Sequence, residues 1–432
     1  MKYSQITVGV LLALGVQVQV QAADLVEVYH AAQGQDAVFA SARASQQAGQ
    51  TKLTQGRALL LPSVNLNANT TYNDVTAPYG AKKFNSHGYG VSVVQPLFRE
   101  QSWALYQQSD LQVTLSEAQF KLAEQDVILR SAQTYFDVLM AQDTVQLTAA
   151  QKTAIAQQLQ QAKRNFEVGT ATITDTYEAQ ARFDLVVAQE IAAENNLEIK
   201  RRALQQLTNA EMLNLNTLGG GFKLESPNPV GVQKWVADAQ QGSYQIAMAN
   251  AAYEVADVEV SKNRGGHLPT LDAVGNYSNN TGCSFTGCGD TKSTSVGIQL
   301  NMPLFQGGAT QSKWNEAAAN REKAKQDLES ARRNVELQTS QAYLGVASGI
   351  AQVQALQQAL KSSESLLQAS KLGQEVGVRT SLDVLNAQQQ MFSTRRDLYQ
   401  AQYNYLMSHL RLKAAVGSLE EADLVRVNQA LH

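Results

Sequence analysis

Two short stretches hold charged residues at a spacing that repeats. One runs Glu167-Val-Gly-Thr-Ala-Thr-Ile-Thr-Asp-Thr-Tyr-Glu-Ala-Gln180, the other Glu375-Val-Gly-Val-Arg-Thr-Ser-Leu-Asp-Val-Leu-Asn-Ala-Gln388. Gly169, Asp175, Ala179 and Gln180 stand 208 positions before Gly377, Asp383, Ala387 and Gln388. In each stretch a Val-Gly pair can end one helix, because Gly tolerates the left-handed conformation at a helix end. A hydroxyl residue then caps the next helix; in the second stretch this is Thr380 or Ser381. Asp175 and Asp383 fall in the first turn, where a carboxylate favours the positive end of the helix dipole. This arrangement suits electrostatic holding rather than bond-making. The five histidines are scattered. There is no His-Glu-x-x-His, no Gly-rich phosphate loop and no Ser-centred elbow. No enzyme, cofactor or resident metal is therefore expected. The two cysteines, Cys283 and Cys288, lie five residues apart in Gly282-Cys-Ser-Phe-Thr-Gly-Cys-Gly289. In an oxidising compartment such a pair reads as a loop-stapling disulfide. A metal site is the alternative, but it lacks third and fourth ligands nearby.

The elements that must position these residues begin with an export leader. Lys2 precedes an apolar run from Val8 to Val16, then Val20-Gln21-Ala22, a small-residue cleavage site. Residues 1–22 are expected to be removed, leaving a chain that starts at Ala23. The run is well short of the ~20 apolar residues of a spanning helix. An exported protein with no helical span is periplasmic, secreted, or in an outer membrane as β-strands. A net charge of −3 with scattered basic residues gives no nucleic-acid signature.

The remaining chain is a tandem duplication. Leu61-Pro62 recurs as Leu268-Pro269, and Gln95-Pro-Leu-Phe98 as Met302-Pro-Leu-Phe305, both offset by 207. Residues 23–61 are expected as a helix, 62–97 as a β-hairpin and 98–215 as a long helical hairpin. A linker at 216–235 contains Gly219-Gly220-Gly221, Pro227 and Pro229. The second copy has a helix at 236–268, a β-hairpin at 269–303 and a long helical hairpin at 304–416, followed by a tail at 417–432. In the hairpins, Val64, Leu66, Ala68, Thr70 and Tyr72 alternate with Asn65, Asn67, Asn69 and Thr71, a strand with one apolar and one polar face. Residues 89–93, 271–277 and 295–302 alternate likewise. The strands are expected to run ~9–11 residues, enough to cross a bilayer at a tilt. The outer loops are then expected at 73–87 and 279–293.

Four strands cannot close a membrane barrel, and open edges are not tolerated in lipid. The smallest outer-membrane barrels have ~8 strands, so several chains must share one barrel, two giving eight strands and three giving twelve. Residues 99–168 contain neither Gly nor Pro. As one helix they would extend roughly 105 Å at ~1.5 Å per residue. Gly345, Gly349 and Gly373 interrupt the second copy, which is expected to be less regular. Helices of this length need equally long neighbours, and the same oligomer that closes the barrel supplies them.

With these parts in order, the chain resembles the TolC-like outer-membrane efflux proteins. The resemblance rests on the duplicated unit, the Leu-Pro and Pro-Leu-Phe borders, the Val-Gly turns followed by Asp-x-x-(Glu/Asn)-Ala-Gln, and the run from Tyr403-Asn-Tyr-Leu406 to Ala414-Ala-Val-Gly417. It implies an α+β membrane protein, a homotrimer with a twelve-stranded β-barrel, four strands per chain, continuous with a long α-helical coiled-coil barrel. It further implies an exit duct for drug efflux or type I protein secretion. Its partners would be outer-membrane lipid, a periplasmic adaptor and an inner-membrane transporter of the RND or ABC class. By position, the resemblance puts the gate at the helix tips. Asp383, with Asn386 one turn on, would line the entrance. Arg379 would link to Thr174 and Asp175, and Gln374 stands where some relatives have Tyr. The adaptor would dock on the turns Val168-Gly169-Thr170 and Val376-Gly377-Val378. A structural or adhesion coiled coil is the competing reading, but it has no need for amphipathic strands with small polar faces.

Overall fold

The computed structural model describes residues 23–78, 80–212, 214–219, 223–284 and 287–431. The expected leader, 1–22, lies outside the described residues, as do Gly220 and Gly221 of the linker. Nine α-helices and four strands are present among the described residues. In chain order they are α1 (Leu25–Gln35), α2 (Ala37–Ala58), β1 (Ser63–Ala77), β2 (Gly80–Phe98), α3 (Glu100–Glu167), α4 (Ile173–Thr208), α5 (Val232–Gly242), α6 (Tyr244–Arg264), β3 (Thr270–Ser284), β4 (Gly287–Asn301), α7 (Ala309–Glu375), α8 (Ser381–Ala415) and α9 (Glu421–Asn428).

The strands form one antiparallel sheet in the order β1-β2-β3-β4. The two hairpins are joined through β2 and β3, from His87↔Thr281 to Phe98↔Leu271, with a shift between Pro96 and Phe98. Proline cannot donate to the ladder, which accounts for an irregularity at that point. The strands are longer than expected, 15 residues in β1, β3 and β4 and 19 in β2. Strand pairing covers 73–77, 80–87, 279–284 and 287–293, so these stretches are not loops; the ladder reaches Ala77↔Gly80 and Ser284↔Gly287. At ~3.3 Å per residue a 15-residue strand extends about 50 Å, more than the ~25 Å apolar band of an outer-membrane barrel requires even at a ~45° tilt. Strands that cross such a band would therefore extend past it on the hairpin side.

At the other end of the sheet, Leu97, Phe98, Trp103, Leu304 and Phe305 are exposed, the last two by 88% and 87%. They form an apolar and aromatic belt where strands pass into helices. One acid sits within it. Asp272 of β3 is nearly buried and accepts from Arg99 Nε at 2.8 Å and Nη2 at 2.5 Å. This two-point bond ties β3 to the residue that precedes α3.

α3, at 68 residues, spans about 102 Å. α4 returns along its lower part, and α7 and α8 repeat the arrangement. α7 is one continuous helix of 67 residues, more regular than its glycines suggest. Gly345 and Gly349 face α8, where an added Cβ would lie 3.4 Å from Ser408 and 3.5 Å from Tyr405. Packing along α8 outweighs the ~1 kcal/mol propensity cost of each glycine.

Two helices expected as single pieces are broken. The segment 23–61 divides at Asp36, whose N–H still bonds the Ala32 carbonyl at 2.8 Å while its carboxylate caps α2 through Phe39 N–H at 3.0 Å. Arg130 Nη2 holds the same carboxylate at 2.6 Å and keeps it below the ordinary carboxylate range. The segment 236–268 begins earlier, at Val232 inside the expected linker, and divides at Ser243, whose extended backbone separates α5 from α6. There the start of α6 abuts the end of α8: an added Cβ on Gly242 would lie 2.5 Å from the Val416 carbonyl.

The main core gathers at mid-length, where α1, α5 and α9 pack on the long helices around Phe39, Tyr135, Phe136, Leu204, Trp235, Leu410, Leu412 and Leu424. Tyr135 is fully buried and donates to the Asn216 carbonyl at 2.8 Å. A smaller core toward the helix tips joins the two helical hairpins through Ile155, Leu159, Ala162, Ala179, Val186 and Leu385.

Candidate functional site at the helix tips

The two turns that end the long helices are geometric copies. Gly169 and Gly377 have φ of +78° and +80°, a conformation that disfavours any side chain. In the first turn, Thr170 and Ala171 N–H both bond the Asn165 carbonyl, at 2.8 and 3.2 Å. In the second, Val378 and Arg379 N–H bond the Gly373 carbonyl, at 2.9 and 3.1 Å. Such bonds satisfy the last carbonyls of a helix. Val168, Val376 and Val378 project from the turns, Val378 with 77% of its surface exposed. Each tip thus presents an apolar point on a tightly bonded loop.

The following helices start with reciprocal caps. Thr172 Oγ1 accepts from Asp175 N–H at 3.3 Å, while the Asp175 carboxylate accepts from Thr172 N–H at 3.0 Å and from its hydroxyl at 2.9 Å. Thr380 and Asp383 repeat this at 3.2, 2.9 and 2.9 Å. Of the two candidate caps, Thr380 is therefore the one used; Ser381 Oγ instead accepts from Gln374 Nε2 at 2.9 Å. That bond crosses the turn and takes up the residue that stands in place of Tyr. The Asp383 carboxyl is held below its ordinary pKa, first by the Thr380 N–H, then by the Thr380 hydroxyl, with Arg379 adding to both. It is charged at neutral pH.

Arg379, in the turn before α8, lies 3.7 Å from Asp383 in the first turn of that helix. Within one chain it meets neither Thr174 nor Asp175, whose carboxylate is taken by Thr172. Its path is set by Gly373, where an added Cβ would fall 2.7 Å from Arg379 Cγ. The glycine expected as a helix interruption is thus the floor of the arginine's seat.

Near the tips, a polar contact between the two helical hairpins comes from a residue that sequence reasoning missed. Arg182, on the third turn of α4, donates from Nη2 to Asn386 Oδ1 at 3.0 Å and from Nη1 to Gln389 Oε1 on α8. Asn386, expected only as a lining residue, therefore serves as an acceptor for this guanidinium. Beneath it Leu385 enters the shared core. The only sequence signal was the repeat itself, which aligns Arg182 with Gln390, beside the acceptor Gln389; no local motif marks a pair 204 residues apart.

At the far end of the molecule the Cys283 and Cys288 sulfurs are bonded at 1.98 Å, across the last rungs of the β3–β4 hairpin. Among the described residues no cluster of three or more His, Cys, Asp or Glu can hold a metal, and no helix is long and apolar enough to cross a membrane.

Known proteins share this architecture. The family model described as outer membrane efflux protein matches twice, over residues 28–210 and 235–418. Outer membrane protein TolC of Vibrio cholerae is 34% identical over 416 residues, covering 95% of this chain and 94% of that protein. The alkaline protease secretion protein AprF of Pseudomonas aeruginosa is 34% identical over 415 residues, covering 93% and 85%. The crystal structure of the Campylobacter jejuni CmeC outer membrane channel superposes with a TM-score of 0.81 at 19% identity, covering 94% of this chain and 89% of that one.

Proposed function

The chain belongs to the outer membrane efflux protein family, and from that premise we propose that three copies form one duct, a twelve-stranded barrel in the outer membrane continued by a helical tunnel through the periplasm. It is a channel and not an enzyme. Its relatives include a TolC and a protease secretion protein, and its role is that of an exit duct for efflux or type I secretion.

One observation carries the reading that several copies share one barrel. Among the described residues the sheet has two open edges, β1 bonded only to β2 and β4 only to β3, and an open edge in lipid leaves backbone groups without partners at several kcal/mol each. Further copies remove both edges. Bare apolar side chains on the helices support the same assembly: Leu185, Ile191 and Ile199 on α4, and Leu337, Leu344, Leu366 and Leu372 on α7, are all exposed in the single chain. In a ring of protomers these faces meet.

The gate reading assigns three jobs at the tips. Arg182 latches α4 to α8 within a protomer. Arg379, paired in the single chain with Asp383 at 3.7 Å, reaches Thr174 and Asp175 of the neighbouring protomer in the closed ring. Asp383 supplies the charge at the entrance, while Asn386 gives its turn no charge and is engaged by Arg182. Gln374 with Ser381 holds the second turn. The exposed valines and the positive-φ glycines of the two turns, Val168-Gly169-Thr170 and Val376-Gly377-Val378, offer a periplasmic adaptor a rigid apolar foothold. The adaptor connects the duct to an inner-membrane transporter of the RND or ABC class.

Photo-crosslinking tests the docking. A photoreactive residue at Thr170 or Val378 is expected to capture a periplasmic adaptor in intact cells, whereas one at Asn69 on β1 captures none. Equal yields at all three positions would contradict docking at the turns.

A further inference from the structure

The two halves of the chain match in space as well as in sequence. Ser63↔Val94 in the first β-hairpin becomes Thr270↔Asn301 in the second, each residue moved by 207. At the tips the positive-φ glycines and the Thr–Asp caps recur with an offset of 208. The joint that one half makes with the other is therefore a guide to the joint between chains. We propose that Tyr177 is a pin between protomers, its ring laid over Leu367 on α7 of the neighbouring copy, between Ser363 and Ser370. The inference rests on the ring of copies proposed above and names a contact that holds it together.

The guide lies within the chain. Leu385, 208 positions after Tyr177, is 3% exposed and joins the core of the first helical hairpin with Ile155, Leu159, Ala162 and Val186. Tyr177 holds the same place in the first half, yet it is 68% exposed. The two halves form one such joint between them, and Tyr177 lies on the side that this joint leaves open. A head-to-tail contact that repeats around an axis closes into a ring. In that ring the second half of the next copy stands against Tyr177. The receiving side shows the same imbalance: Leu159 of α3 is buried, whereas its counterpart Leu367 of α7 is only half-buried.

The side chains differ in step on the two sides. Leu385 meets an apolar set. At the positions matching Ile155, Ala162 and Val186, the second helical hairpin has Ser363, Ser370 and Thr394. Ser363, Leu367 and Ser370 follow at steps of four and three, so they share one stripe of α7. A leucine would suit the middle of that stripe and not its ends. A tyrosine offers an apolar ring for Leu367 and a hydroxyl for a setting bracketed by serines. A periplasmic adaptor is the competing occupant of this face, but it would not account for the match to the Leu385 contact.

The test places p-benzoylphenylalanine, close to tyrosine in shape, at Tyr177 of the full chain and irradiates intact cells. On denaturing gels the product is expected to shift to the mass of two or three chains. After trypsin the adduct should fall in the peptide Ser362–Lys371, which holds Ser363, Leu367 and Ser370. The same probe at Leu385 should leave the mass of one chain, with its adduct in Thr153–Lys163. A probe at Leu367 should give the reciprocal link, to Asn165–Arg182 of another copy; it decides alone should the Tyr177 probe fail to assemble. Adducts from Tyr177 only within its own chain, only with an adaptor, or in another copy outside residues 362–371 would overturn the pin. Native mass measurement of the same samples separates the two readings. Three chains together without the expected adduct would remove the pin and leave the duct, and single chains throughout would remove both.

Discussion

Replacing Arg182 by Ala removes a guanidinium that spans the two helical hairpins near the tip. Its two hydrogen bonds, to Asn386 and Gln389, join a charged donor to neutral amides on an accessible surface. A net value of about 0.3–1 kcal/mol per protomer is appropriate for bonds of this kind after solvent competition. Three copies acting on one ring contribute about 1–3 kcal/mol to the closed state, a shift of roughly 5- to 150-fold in the open-to-closed ratio. In planar bilayers the Arg182→Ala channel should show higher single-channel conductance or longer openings than the wild type. Asn386→Ala should produce part of the same change, and the double variant should not exceed Arg182→Ala by the full effect of Asn386→Ala, because the two residues share one contact. The core beneath, with Leu385 against Ile155 and Val186, keeps the hairpins packed, so the barrel should still assemble. Conductance identical to wild type in Arg182→Ala, with assembly intact, would refute the latch. So would fully additive effects of the two substitutions.

Three further outcomes follow from the tip and the mid-length core. Arg379→Ser should also raise conductance, and its effect should add to that of Arg182→Ala because the two side chains touch different partners; unchanged conductance would remove Arg379 from the gate. Asp383→Ala should weaken block by multivalent cations applied from the tip side, and equal block would place the cation site elsewhere. Half-buried Asp143 accepts from Tyr403 at 2.6 Å, and its partial burial raises its carboxyl above the ordinary 3.8 despite that bond. The folded protein then holds this proton more tightly than the unfolded chain, so the group costs stability as pH rises from about 3.8 through its raised folded value. Thermal melting of Asp143→Asn against wild type should show a gap that moves in favour of the variant across that window and levels off above it; a gap independent of pH would contradict the assignment.

Much of this architecture is written in local pattern. The alternation from Val64 to Tyr72 gives β1 its two faces, and the absence of Gly and Pro from 99 to 168 gives α3 its length. The turn chemistry is local too, which is why Gly169, Gly377, Asp175 and Asp383 were readable from spacing alone. Other features depend on distant partners. Asp36 breaks α1 from α2 because Arg130, 94 residues on, holds its carboxylate. Gly373 was misjudged as an interruption because the side chain it accommodates belongs to the turn beyond it. The hairpin ends were expected as loops because Gly, Asn, Asp and Lys are poor strand formers, and ladder pairing across the sheet overrides that preference. Arg182 escaped notice because an arginine in a helix is ordinary until its partner on α8 is known.

The central claim is that three copies of this chain make one duct. Native mass spectrometry of the protein released from isolated outer membranes measures it directly. The account predicts a species of three mature chains; a species of one chain, or recovery of the protein only from soluble fractions, would contradict it.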